Sequence, residues 1–128
     1  MTKIYNTIGL IGKPNHEGAS TTITALYQYL LANHYQVLIE SSVAPSIDIK
    51  QLSIRTLTEI GEQADLAIVV GGDGYMLGAA RVLSCFDIGV IGVNRGNLGF
   101  LTDLSPDELI PPLEEILQGK SRSEQRFI

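Results

Sequence analysis

At 128 residues the chain has room for one compact domain that buries roughly two-thirds of its unfolded surface on folding. With 45% apolar and 18% charged residues it is no disordered segment. A formal charge of −5 argues against a broad nucleic-acid footprint and against attachment to an anionic membrane.

Ile4 to Ile11 reads as a first strand, closed by Gly12-Lys13-Pro14-Asn15. Ile23, Leu26, Tyr27, Leu30 and Leu31 then recur at helical spacing, with Ser20 or Thr21 expected as the cap. Val37-Leu38-Ile39 gives a second strand. Residues 41–64 stay undecided, since Pro45 and several serines suggest a loop, while Leu57 to Gln63 fits a turn or two of helix. Asp65 to Val70 is continuous and β-branched, the pattern of a strand buried on both faces. Met76 to Leu83 reads as a helix apolar on most sides and therefore covered by other structure.

Gly89 to Val93 forms a fourth strand and runs into Asn94-Arg95-Gly96-Asn97-Leu98-Gly99. A last helix opens at Ser105-Pro106-Asp107-Glu108, with Ser105 as cap and Glu108 completing a capping box. Leu109, Leu113, Ile116 and Leu117 supply its apolar face, Pro111 and Pro112 predict a kink, and Gly119 ends it. Arg126-Phe127-Ile128 looks like the beginning of another strand. The alternation predicts an α/β fold: an open, mostly parallel sheet with helices on both faces. No repeat or low-complexity segment interrupts it.

Cys85 is the single cysteine, so no internal disulfide forms, and it is expected as a small buried apolar side chain. The apolar runs are too short to span a bilayer, and the opening residues lack a signal-peptide layout. A cytoplasmic setting is expected.

Eight of the thirteen glycines fall between Gly71 and Gly99, across two successive strand ends. Ligands of open parallel sheets bind outside the carboxyl ends of the strands, so both turns are expected to face one cleft. Neither the dinucleotide fingerprint nor the phosphate-loop motif is present. Within Gly71-Gly72-Asp73-Gly74, the glycines would let phosphates come close, yet the carboxylate would repel them. Asp73 is therefore either a helix cap, or a group that faces a magnesium ion or a hydroxyl. A carboxylate beside a hydroxyl and an incoming phosphoryl group is what a kinase needs to orient its nucleophile.

Gly71-Gly72-Asp73-Gly74 resembles the GGDG signature shared by NAD kinases, diacylglycerol and sphingosine kinases, and 6-phosphofructokinases. Asn94-Arg95-Gly96-Asn97-Leu98-Gly99-Phe100-Leu101-Thr102-Asp103 resembles the corresponding loop of bacterial NAD kinases, at the family's spacing from Asp73. The resemblance extends over essentially the whole chain, which is identified as the N-terminal domain of a bacterial NAD kinase. It implies ATP-dependent phosphorylation of the 2′-hydroxyl on the adenosine ribose of NAD, giving NADP, with a divalent cation (magnesium) accompanying ATP. It assigns Asp73 as the acceptor of the hydroxyl proton, and sets Asp73, Gly74, Leu77 and Phe100 against NAD. Gly71 and Gly72 let phosphates approach.

Arg95 is a candidate phosphate contact, with a solvated surface arginine as the alternative, and Phe100 could equally be a core aromatic beside Leu98 and Leu101. Asn94 could serve as a turn residue alone. No protein-held metal site is expected, and His16 and His34 are not marked as ligands. Tyr75 departs from the threonine that many relatives carry after GGDG, so the ATP contacts remain open. Residues 1–120 are expected as the α/β domain and 121–128 as the start of a missing β-rich domain. The chain would thus be a truncated domain, inactive by itself. The full-length enzyme is expected to be a homo-oligomer that binds NAD and ATP but no nucleic acid and no membrane. The rival readings are a lipid or sugar kinase with the same signature, and a nucleotide-binding or regulatory α/β module.

Overall fold

The computed structural model describes residues 5–94, 113, 114, 117 and 125–127. The elements in chain order are β1 (Thr7–Gly12), α1 (Glu17–Ala32), β2 (Gln36–Glu40), β3 (Ile54–Arg55), α2 (Leu57–Gln63), β4 (Leu66–Gly71), α3 (Asp73–Leu83), β5 (Gly89–Asn94) and β6 (Gln125–Phe127). The six strands form one sheet in the order β3-β2-β1-β4-β5-β6, and every pairing is parallel. This is the α/β architecture that the alternation of periods predicts.

Strand parity divides the core in two. Ile8, Leu10, Ile39, Leu66, Ile68 and Val70 face α1 and pack with Ile23, Leu26 and Leu30. Leu113 and Leu117, the described apolar residues of the last predicted helix, are buried in the same cluster. Ser105, Glu108, Leu109, Pro111, Pro112, Ile116 and Gly119 lie outside the described residues. On the opposite face Ile11, Leu38, Ala67 and Val69 meet Ile60 of α2 and Met76, Ala79 and Leu83 of α3. Each such aliphatic side chain, once fully buried, contributes about 1.5–3 kcal/mol. Gly9 makes room for α2, because a Cβ there would collide with Ile60.

Several local expectations are corrected. The first helix begins earlier than its apolar stripe, at Glu17, and its cap is His16 rather than Ser20 or Thr21: Ala19 N–H donates to His16 Nδ1 at 3.0 Å. A ring nitrogen here does the work that a hydroxyl usually does at a helix start. Within residues 41–64 the expected helix over Leu57 to Gln63 is present as α2, with a capping box between Thr56 and Glu59, and β3 is an additional two-residue edge strand. Cys85 is exposed rather than buried. It follows Ser84, the C-cap of α3, just past the end of the helix. The third helix is covered on one side only, since Leu77 is 59% and Val82 38% exposed.

The register sets up the working end of the sheet. From β1 the chain moves outward to β2 and β3, whereas from β4 it moves the other way to β5 and β6. Between β1 and β4 lies the point where strand order reverses, the usual crevice for ligands in such sheets. Gly12 pairs with Val70 and Gly71 pairs with Asn94, so the carboxyl ends of β1, β4 and β5 lie level with one another.

Candidate active site

All six residues of β4 are buried, and the strand delivers its last residue, Gly71, directly to the crevice. Gly72 follows as the N-cap of α3 in extended conformation, with φ −85° and ψ 176°. The cap position therefore belongs to Gly72, and Asp73 is the first residue of the helix. Met76 N–H donates to the Gly72 carbonyl at 2.9 Å and closes the first turn.

The glycines around Asp73 are not required by backbone conformation, because none of Gly71, Gly72, Gly74 and Gly78 has φ in the left-handed region. They differ in the space above them. A Cβ on Gly72, Gly74 or Gly78 would meet nothing within 4 Å. Gly74, Leu77 and Gly78 are all exposed, and their spacing of three and four puts them on one face of α3. Two of the sequence candidates, Gly74 and Leu77, are thus brought together on an open, partly apolar face beside Asp73.

At Gly71 the space is occupied. Its Cβ would lie 3.0 Å from Tyr75 Cδ2 and 3.5 Å from Lys13 Cβ. Tyr75 is turned inward: its hydroxyl donates to the Gly12 carbonyl at 2.9 Å, with Ser42 as a further hydrogen-bond neighbour. Burial, and after it the nearby Glu40 carboxylate, push the Tyr75 phenol above its ordinary value, so it stays a protonated donor. Glu40 is only 7% exposed and accepts hydrogen bonds from Ser42 N–H, the Ser42 hydroxyl and the Ser41 hydroxyl. Those donors satisfy a carboxylate that would otherwise be costly to bury. Lys13 N–H donates to the Val70 carbonyl at 3.1 Å, carrying the β1–β4 ladder one residue past the sheet, and its side chain is exposed.

Lys13, Glu40, Ser42 and the inward turn of Tyr75 were not found by motif reading. Parity alone could have grouped them, because Lys13, Glu40 and Gly71 are continuations of the strand face that carries Leu38, Ile11 and Val69. Arg81, in the last turn of α3, is exposed. Asn94 ends β5 beside Gly71, which starts the second loop next to the first turn. Arg95, Phe100 and the rest of the 94–103 stretch lie outside the described residues. A separate hollow of about 430 Å³, lined by Thr7, Tyr27, Tyr35, Gln36 and Arg55 among others, opens away from the glycine turn.

Comparison with known proteins adds three findings. The model of the ATP-NAD kinase N-terminal domain matches residues 8–121. The chain is 77% identical over its full length to an NAD kinase of Colwellia psychrerythraea, covering 44% of that protein, and 60% identical to one of Aeromonas salmonicida, again covering 44%. It therefore spans less than half the length of these curated relatives. A crystal structure of yeast NADH kinase complexed with NADH superposes with a TM-score of 0.62 at 19% identity, over 88% of this chain and 36% of that one, and shares its fold.

Proposed function

The chain belongs to the ATP-NAD kinase family, through that family's N-terminal domain, and from this premise we propose that it carries the proton-accepting half of an NAD kinase site. The reaction is transfer of the terminal phosphoryl group of ATP to the 2′-hydroxyl on the adenosine ribose of NAD, giving NADP. One observation supports the reading above the others: Asp73 opens α3 at the carboxyl end of the central strand β4, among glycines with open space above them.

Asp73 is the proposed proton acceptor. A carboxylate is far too weak a base to strip an alcohol before reaction. Phosphoryl transfer is often loose, with little bonding to the nucleophile early on. Asp73 thus orients the hydroxyl and takes its proton late. Gly74, Leu77 and Phe100 are the proposed NAD contacts, Gly71 and Gly72 the approach for phosphates, and Arg95 a phosphate contact. Magnesium would neutralise charge on the phosphates and is proposed to arrive with ATP.

The proposal extends to a cytoplasmic homo-oligomer acting on NAD and ATP, without nucleic-acid or membrane partners. No helix among the described residues is long and apolar enough to cross a membrane. Residues 1–120 form the proposed α/β domain. Residues 121–128 are proposed to lead on to a second, β-rich domain from the sheet edge where Gln125–Phe127 lies.

The test is NADP formation from NAD, ATP and magnesium, by this chain alone and by the chain joined to the second half found in its relatives. Activity is expected only in the joined protein. In-line positioning is worth ~7–11 kcal/mol, and this chain alone supplies one wall of the cleft. No NADP from the joined, folded protein would refute the reading.

A further inference from the structure

Three features stand together at the carboxyl ends of β1, β2 and β4, and the Asp73 chemistry uses none of them. The Tyr75 ring lies over Gly71, its hydroxyl holds the Gly12 carbonyl at 2.9 Å, and Lys13 follows Gly12 with its Cβ beside the same Gly71. The Tyr75 hydroxyl points away from the open face of α3, so it is poorly directed at a ligand on that face. What it does reach is the loop that carries an exposed ammonium group.

We propose that Tyr75 is a positioning residue for the phosphoryl donor, clasping the Gly12 carbonyl so that Lys13 is held over the Gly71–Gly72 turn to meet the donor's phosphates. The inference rests on the kinase reading of the same site and deepens it by naming the wall along which the triphosphate lies. Two tethers hold the loop at this point: the Tyr75 hydroxyl on the Gly12 carbonyl, and Lys13 N–H on the Val70 carbonyl at 3.1 Å. At the far end of the loop, His16 is anchored as the cap of α1. The stem of Lys13 is therefore restrained at its root while its ammonium stays in water. Such a group attracts polyanions as a point charge and loses little backbone freedom on binding them. Glu40 stands behind Tyr75 with its oxygens occupied by Ser41 and Ser42, which limits its repulsion of an incoming phosphate.

The division of labour is specific. Lys13 and Tyr75 serve the donor on the β1 side of the crevice, while the open face of α3 serves the dinucleotide. A residue that merely supported the fold would affect both ligands equally.

The experiment is an amide NMR titration of the chain with magnesium ATP, inorganic tripolyphosphate and NAD in separate arms. ATP and tripolyphosphate are both expected to shift the amides of Lys13, Gly71 and Gly72. In Tyr75→Phe, which keeps the ring and loses the hydroxyl, both are expected to bind about threefold to tenfold more weakly, the worth of one hydrogen bond. NAD is expected to bind the variant as before. Lys13→Gln, an exposed change that leaves the fold intact, is expected to weaken ATP and tripolyphosphate in the same proportion and to spare NAD. Equal weakening of ATP and NAD in Tyr75→Phe would make the role structural and overturn the proposal, as would ATP shifts that leave Lys13 untouched or no ATP response at all. Absence of NADP from the joined protein refutes the kinase reading separately, because these donor-binding ratios do not depend on turnover.

Discussion

Two loops leave the same end of the sheet, and they are built in opposite ways. The loop after β1 is filled and tied down: a Cβ on Gly12 would strike Ile23 and approach Val43, the Gly12 carbonyl is held by Tyr75, and His16 caps the helix that follows. The turn after β4 is left open, with nothing within 4 Å of a Cβ on Gly72 or Gly74 and no side chain capping α3 at Gly72. Glycine at Gly9 and Gly12 serves packing, whereas no packing contact requires glycine at Gly72 or Gly74. A methyl has no room at Gly9 or Gly12, whereas the surface above Gly72 and Gly74 is empty.

Substitutions can break this contrast or sharpen it. The largest effect is expected at Asp73, in the protein joined to the second half of its relatives. Asp73→Asn should fold as the parent does and lose turnover by ~10²–10⁴-fold, the usual worth of acid–base help. NADP formation at saturating NAD and ATP is the check, and unchanged turnover would remove Asp73 from the chemistry.

Next comes Gly9→Ala on the packed side. Its new methyl would occupy the place of the Ile60 side chain, which is fully buried. Overpacking a tight core costs about 1–3 kcal/mol, read as a lower urea midpoint at unchanged slope. A midpoint equal to the parent's would show that α2 moves away freely and that the close approach is not a constraint.

A smaller loss is expected at the cap of α1. His16→Ala removes the Nδ1 acceptor from Ala19 N–H and should cost ~1 kcal/mol, whereas His16→Asn should restore most of it. Equal losses in both variants would mean that the ring matters for packing rather than for capping. The smallest effect on stability belongs to the open side. Gly74→Ala should leave the midpoint unchanged or raise it by about 0.4–1 kcal/mol, because the site is helical and uncrowded. The same methyl should weaken NAD binding. A clear loss of stability there would place Gly74 with the packing glycines and erase the contrast.

The contrast also marks what was legible in the sequence. Continuous runs such as Leu66 to Val70 announced a parallel sheet, because a strand buried on both faces has no polar alternation to maintain. The Gly71–Gly74 turn stands out in the sequence as a candidate site because a carboxylate among phosphate-type glycines is a chemical conflict. Less visible were features created only by the register. His16 as a cap depends on a ring nitrogen meeting Ala19, and Tyr75 acquires its partner 63 positions away, once β1 and β4 lie side by side. The covered side of α3 was overestimated, since composition counts Leu77 and Val82 as core, whereas the sheet reaches only Met76, Ala79 and Leu83. Cys85 was misjudged for a similar reason: a small thiol suits a core, but its place just past a helix end puts it in water.

The central claim is that the open turn after β4 receives the dinucleotide while the tied loop after β1 does not. An amide NMR titration of the chain with NAD alone tests it most directly. Saturable shifts confined to Gly71–Gly72 and the Gly74, Leu77 and Gly78 face of α3, with Gly9, Gly12 and Gly61 unmoved, are the predicted result. Shifts centred on the β1 loop, or no saturable response at the α3 face, would contradict the account.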